Sequence, residues 1–97
     1  MSLPTHKIAD LNDLLRTTFL TGKVVLTEGF RALPENVRED VLTQVRCFSD
    51  FGPDNDPYGE HDFGSIDHLD AGRVFWKIDY YHEATARVLT IMLASEY

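Results

Sequence analysis

Only one cysteine, Cys47, occurs in the 97 residues. A lone thiol closes no internal disulfide, so nothing points to an oxidising compartment, and the cytoplasm is the expected location. No stretch approaches the roughly 18 apolar residues that a membrane helix needs. The N-terminal residues Met1-Ser2-Leu3-Pro4-Thr5-His6 lack the charged and apolar regions of a signal peptide. Internal repeats, heptads and low-complexity tracts are missing too, which excludes solenoids, coiled coils and linker-like segments. Between residues 50 and 70 there is no lysine or arginine at all.

That last absence organises the charge. Asp50, Asp54, Asp56, Glu60, Asp62, Asp67 and Asp70 all lie in the same segment. The remaining nine acids balance the nine lysines and arginines, so the whole net charge of −7 sits there. A surface of this sign repels phosphate backbones, which disfavours direct nucleic-acid binding. It suits metal ions or a basic protein partner, or it is a polar loop kept for solubility.

The length is that of one domain, here residues 1–97, with residues 1–5 read as a disordered or tag-derived tail. Residues 6–20 have helical periodicity. Ile8, Leu11, Leu15 and Phe19 form the stripe, Leu14 widens it and Gly22 stops it. Val24 to Thr27 is a β-branched run and reads as a strand. Leu33-Pro34-Glu35 opens a second helix, since proline's missing N–H costs nothing in a first turn. Its buried stripe is Val37, Val41, Val45 and Phe48, with Leu42 beside it and Cys47 packed near it. Asp56-Pro57-Tyr58-Gly59 carries the residues of a type I turn. Three strands follow at 63–68, 73–81 and 87–94, joined by connections short enough for antiparallel hairpins. In the middle one Val74, Trp76, Ile78 and Tyr80 share one face, and Phe75, Lys77, Asp79 and Tyr81 the other. Trp76 reads as core, between Val74 and Ile78. The fold class is therefore α+β: two helices packed on a mostly antiparallel sheet of about four strands.

Three blocks are distinctive: Asn55 to Gly64 (NDPYGEHDFG), Phe75 to Tyr81 (FWKIDYY), and Arg87 to Ala94 with Glu96-Tyr97. With Leu11-Asn12-Asp13, Arg16, Val25-Leu26-Thr27 and Gly29, they resemble an uncharacterised family of short bacterial proteins, a domain of unknown function. The resemblance spans nearly the whole chain and implies no reaction. That family usually has a longer Ser/Asp/Pro-rich connection before its last strand, where this chain has only His82 to Ala86.

Two chemistries are open. Glu60-His61-Asp62, with Asp54, Asn55, Asp56 and His68 around them, offer oxygen and imidazole ligands. An EF-hand starting at Asp54 fails, because Tyr58 and Ser65 stand where ligands are needed. No Cys/His pair has zinc spacing, so neither metal nor cofactor is expected. Asp62-Phe63-Gly64 matches a kinase triplet without any companion motif. Lys77 and Asp79, with His61, could transfer protons if they surround a pocket, or Lys77 and Asp79 could pair on a half-exposed sheet face. There is no Ser/His/Asp or Cys/His signature and no nucleotide-binding glycine motif. The leading reading is a protein-interaction or inhibitory module that engages a basic protein through Asp54, Asn55, Asp56, Tyr58, Glu60, His61 and Asp62. In that reading Tyr58 and Phe63 anchor the loop by burial. The alternative is a small hydrolase or metal-dependent enzyme centred on Glu60, His61, Asp62, Lys77 and Asp79.

Overall fold

The computed structural model describes residues 5–81 and 86–97. Residues 82–85, most of the expected short 82–86 connection, lie outside the described residues, as do residues 1–4 of the expected tail. In chain order the elements are α1 (Thr5–Thr18), β1 (Lys23–Leu26), α2 (Glu28–Arg31), α3 (Glu35–Cys47), β2 (Phe63–His68), β3 (Gly72–Tyr81), β4 (Ala86–Leu93) and a short 3-10 turn (Ala94–Glu96).

The fold is α+β, with three α-helices among the described residues and a four-stranded sheet of order β1-β4-β3-β2. The sheet is mixed, which corrects the expectation of a mostly antiparallel one. β2–β3 and β3–β4 are antiparallel, but β1 lies parallel to β4, with Val24 opposite Leu89 and Leu26 opposite Ile91. A parallel neighbour needs a long crossover, and here α2, α3 and the β2–β3 hairpin all intervene between the two strands. The helix between β1 and α3 is the second departure. It is a single turn of four residues, too short for any periodicity to announce.

One buried cluster joins α1, α3 and one sheet face: Leu15, Val41, Val45, Val74, Trp76, Ile78, Leu89 and Ile91, with Phe30 from α2 and Ile66 from β2. Trp76 is fully buried on the central strand β3, as its alternation predicts. The α3 stripe also follows the periodicity, with Val37, Val41 and Val45 buried. On α1 the buried face differs. Leu14 is 47% exposed, while Asn12 and Arg16 are buried beside Ala9 and Leu15. A polar pair takes the place of a leucine because it has partners inside, described below. The helix ends at Phe19, which adopts φ 60° and donates its N–H to the Leu15 carbonyl at 2.7 Å, three residues before Gly22. Cys47 is exposed, which corrects the expectation that it packs near the α3 stripe.

The C-terminal turn is fastened to α2 by one carboxylate. Glu96 accepts from the Thr27 hydroxyl at 2.7 Å, from the Gly29 N–H at 2.8 Å and from the Leu93 N–H at 2.9 Å. A Cβ on Gly29 would lie 2.7 Å from the Glu96 carboxyl carbon, so only glycine permits this approach. The Thr27 hydroxyl foremost, and then the Leu93 N–H, hold the Glu96 carboxyl below its ordinary range. A depressed folded pKa contributes stability that is present above the ordinary glutamate range and is lost as pH falls through the folded value. The gap in urea midpoint between the wild type and Glu96→Gln should therefore be full at neutral pH and close in acid. A gap unchanged across that range would show that the carboxylate charge does not hold the turn.

Candidate functional site

The segment from Phe48 to Asp62 connects α3 to β2 and carries most of the acidic block. It is wound on itself. The Asn55 side-chain Oδ1 accepts the Gly52 N–H at 2.8 Å, and the Asn55 side-chain Nδ2 donates to the Asp50 backbone carbonyl. The Asp56 N–H reaches the Gly52 carbonyl at 2.8 Å. Gly59 closes the expected turn by donating to the Asp56 carbonyl at 3.1 Å. The apolar anchors are Phe48 and Phe51, which meet Trp76 edge-on at 5.4 and 6.1 Å. This corrects the anchoring expected of Tyr58, whose side chain is 78% exposed at the turn's tip. Phe63 instead joins Phe75 and Tyr97 in an aromatic group at 5.2 and 6.1 Å.

The far end of the loop is clasped to α1. His61 stacks on Phe51 with centroids 3.9 Å apart and planes 4° from parallel. Its Nδ1 lies 3.0 Å from both Asp13 carboxylate oxygens, so Nδ1 carries the proton that Asp13 accepts. Its Nε2 stands 3.7 Å from Asp56. His61 holds φ 54°, uncommon for a residue with a side chain, and the Asp56 carboxylate receives its backbone N–H. Asn12 donates to the Glu60 carbonyl at 2.9 Å and accepts from Arg87 Nε at 3.0 Å, tying the loop to α1 and β4 together.

Arg16 is the centre of the clasp. Its side chain is 4% exposed. One guanidinium nitrogen donates to the Val45 and Arg46 carbonyls at 2.9 and 3.3 Å, at the negative end of α3. The other donates to Asp13 at 3.0 Å. The guanidinium carbon lies 5.4 Å from the Phe51 ring centroid and 5.2 Å from that of Trp76. Arg16 Nε and Trp76 Nε1 are buried without a hydrogen-bond partner. The cation over the two π faces offsets part of that cost.

The residues singled out from sequence thus separate. Asp56 turns inward, with its side chain 5% exposed, and His61 is half-buried against it. Asp54, Asn55, Tyr58 and Asp62 are exposed, and Glu60 is half-buried. Lys77 and Asp79 form an ion pair at 3.1 Å, both more than a third exposed. They alternate with buried Trp76 and Ile78 on β3 and so occupy the other face of the sheet from Trp76. His61, stacked on Phe51 beside Trp76, stays on the helix side. Asp62 immediately precedes β2. Desolvation by the surrounding chain raises its pKa, with Asp56 and Asp79 adding to the effect. Among the described residues no group of three or more His, Cys, Asp or Glu side chains is placed to hold a metal ion.

Sequence reasoning missed the roles of Asp13, Arg16, Asn12 and Phe51. The available signal was the polar set Asn12, Asp13 and Arg16 at helical spacing, with Asn12 at the border of the apolar stripe. Residues 26–96 match the model of the family described as Protein of unknown function (DUF3768), and the chain belongs to that family. The match takes in the loop, the turn-forming block and the whole of β2 to β4, while α1 lies outside it. No curated protein and no solved structure matches the chain. No helix among the described residues is long and apolar enough to cross a membrane.

Proposed function

We propose that this protein is a non-enzymatic interaction or inhibitory module of the cytoplasm that presents fixed carboxylates to a basic protein partner. One observation carries the reading: in a loop pinned at both ends, Asp56 is buried and Glu60 half-buried, while Asp50, Asp54 and Asp62 stay exposed, as do Asp67 on β2 and Asp70 just after it. A surface ordered before binding avoids the backbone entropy of ordering it afterwards, about 1–2 kcal/mol per residue. Charge of one sign on such a surface steers encounter and selects partners more than it sets affinity. The small-hydrolase alternative, centred on Glu60, His61, Asp62, Lys77 and Asp79, has one support in the Asp13–His61 pair. That pair is the arrangement by which a carboxylate orients an imidazole base, but its Nε2 faces Asp56 rather than a pocket.

The test is capture of a basic protein from the native host by the wild type and by Asp50→Lys/Asp54→Lys. Reversal at these two exposed acids is expected to abolish capture and leave the thermal midpoint unchanged. Wild-type binding should weaken steeply with salt, since exposed pairs are screened over about 8–10 Å at physiological ionic strength. Equal capture by the variant would remove the loop's charge from the function.

A further inference from the structure

The free edge of the sheet and the acidic loop meet at one place. β2 is an edge strand. The Asp62 carbonyl accepts the Ile78 N–H at 2.8 Å, and Phe63 lies opposite Lys77. In an antiparallel ladder this makes 62/78, 64/76, 66/74 and 68/72 the bonded pairs. The backbone N–H and C=O groups of Phe63, Ser65 and Asp67 therefore point away from β3, towards the open edge. Beside that edge runs a groove with Ser65 and Asp67 on the strand side and Phe48, Pro53, Asp50 and Asp54 on the loop side. Among the described residues no lysine, arginine or histidine lines it. Asp67 is paired with Arg73 at 3.0 Å, but both side chains are mostly exposed, so that pair is weak.

We infer that this groove takes an extended, lysine- or arginine-bearing segment of the partner, which adds to β2 as a fifth strand. The inference rests on the interaction reading above and names the form of the partner. An open edge offers backbone bonds to any strand, and the side chains around it decide which strand is admitted. A second copy of this chain is refused: pairing β2 with β2 brings Asp50, Asp54 and Asp67 of each against those of the other, and like charges across strands repel. A basic strand meets the same carboxylates favourably, over a floor of Phe48 and Pro53 that suits small apolar side chains. The opposite edge, β1, is only four residues long. The groove by it contains Arg31 and Arg38, the wrong charge for such a partner.

The experiment titrates isotope-labelled full-length protein with an alternating lysine–threonine hexapeptide. A twin peptide carries N-methyl groups on the residues of one edge, which keep its charge and remove its backbone donors. The expected result is protection of the Ser65 and Asp67 amides from solvent exchange by the first peptide and not by the twin. Ser65→Pro removes an N–H that points to solvent and leaves the β2–β3 ladder intact, so the variant should fold. It is expected to bind the first peptide about tenfold more weakly, the value of one backbone hydrogen bond. Equal binding of both peptides, or equal binding by Ser65→Pro, overturns strand addition and leaves the charge reading standing. Binding of neither peptide at millimolar concentration overturns both.

Discussion

Truncating Trp76 to alanine is expected to cost about 3–5 kcal/mol, a large part of the stability of a domain this size. The indole sits fully buried on the central strand β3, where it meets Phe48 and Phe51 edge-on and lies beneath the Arg16 guanidinium. Its removal empties the junction of sheet, loop and α1 at once. Gly64, directly opposite on β2, tests the same contact from the other side. A Cβ there would lie 2.2 Å from Trp76 Nε1 and 2.5 Å from Cε2, closer than any real contact. Gly64→Ala should therefore cost about 1–3 kcal/mol although it adds a single methyl group. Combining it with Trp76→Phe should recover part of the loss, because the smaller ring vacates that space. Urea melts of the two single variants and the double variant give the coupling. Strict additivity would show that Gly64 and Trp76 are not packed together.

What was legible in the sequence was what period and turn chemistry encode locally. Trp76 in the core, Val37-Val41-Val45 on one helix face and the 56–59 turn each follow from spacing within a dozen residues. β2 to β4 follow from alternation and short connections. The parallel seat of β1 does not, because a four-residue run carries no information about which distant strand it meets. The clasp was illegible for a similar reason. Asp13 and His61 are 48 residues apart, and Arg16 reads as the polar side of a helix until Trp76 and the end of α3 close over it. Phe51, flanked by Asp50 and Gly52, looks like part of a solvated turn, yet it forms the platform for His61. Tyr58 and Phe51 exchange the roles their neighbours suggest, because the turn at 56–59 carries Tyr58 outward while the chain around Phe51 is pulled onto Trp76.

Arg16→Ala is expected to cost about 3–5 kcal/mol and to release the loop as well. Three losses coincide. The Val45 and Arg46 carbonyls lose their charged donor, Asp13 loses its buried partner, and the space between Phe51 and Trp76 opens. Arg16→Met separates them, since it keeps an unbranched apolar stem in that space and discards the charge. It should recover the packing part of the loss only. Asp13 is the informative second site. Its side chain is 35% exposed, so water can solvate it when Arg16 is gone, whereas Asp13→Ala leaves Arg16 buried with carbonyls alone. Asp13→Ala also frees the His61 ring from the carboxylate at its Nδ1, which leaves φ 54° at His61 held by Asp56 alone. The readout beyond stability is amide exchange at Gly52, Asp56, Gly59 and His61, whose N–H groups the folded loop bonds. These should open in Arg16→Ala and in Asp13→Ala well before global unfolding. If the loop is the binding surface, both variants should also lose partner affinity with every exposed carboxylate still in place, because binding then has to order the loop. Exchange at these four amides that stays native in Arg16→Ala would mean that the loop is held by Phe48 and Phe51 alone. The α1 clasp would then serve only the core.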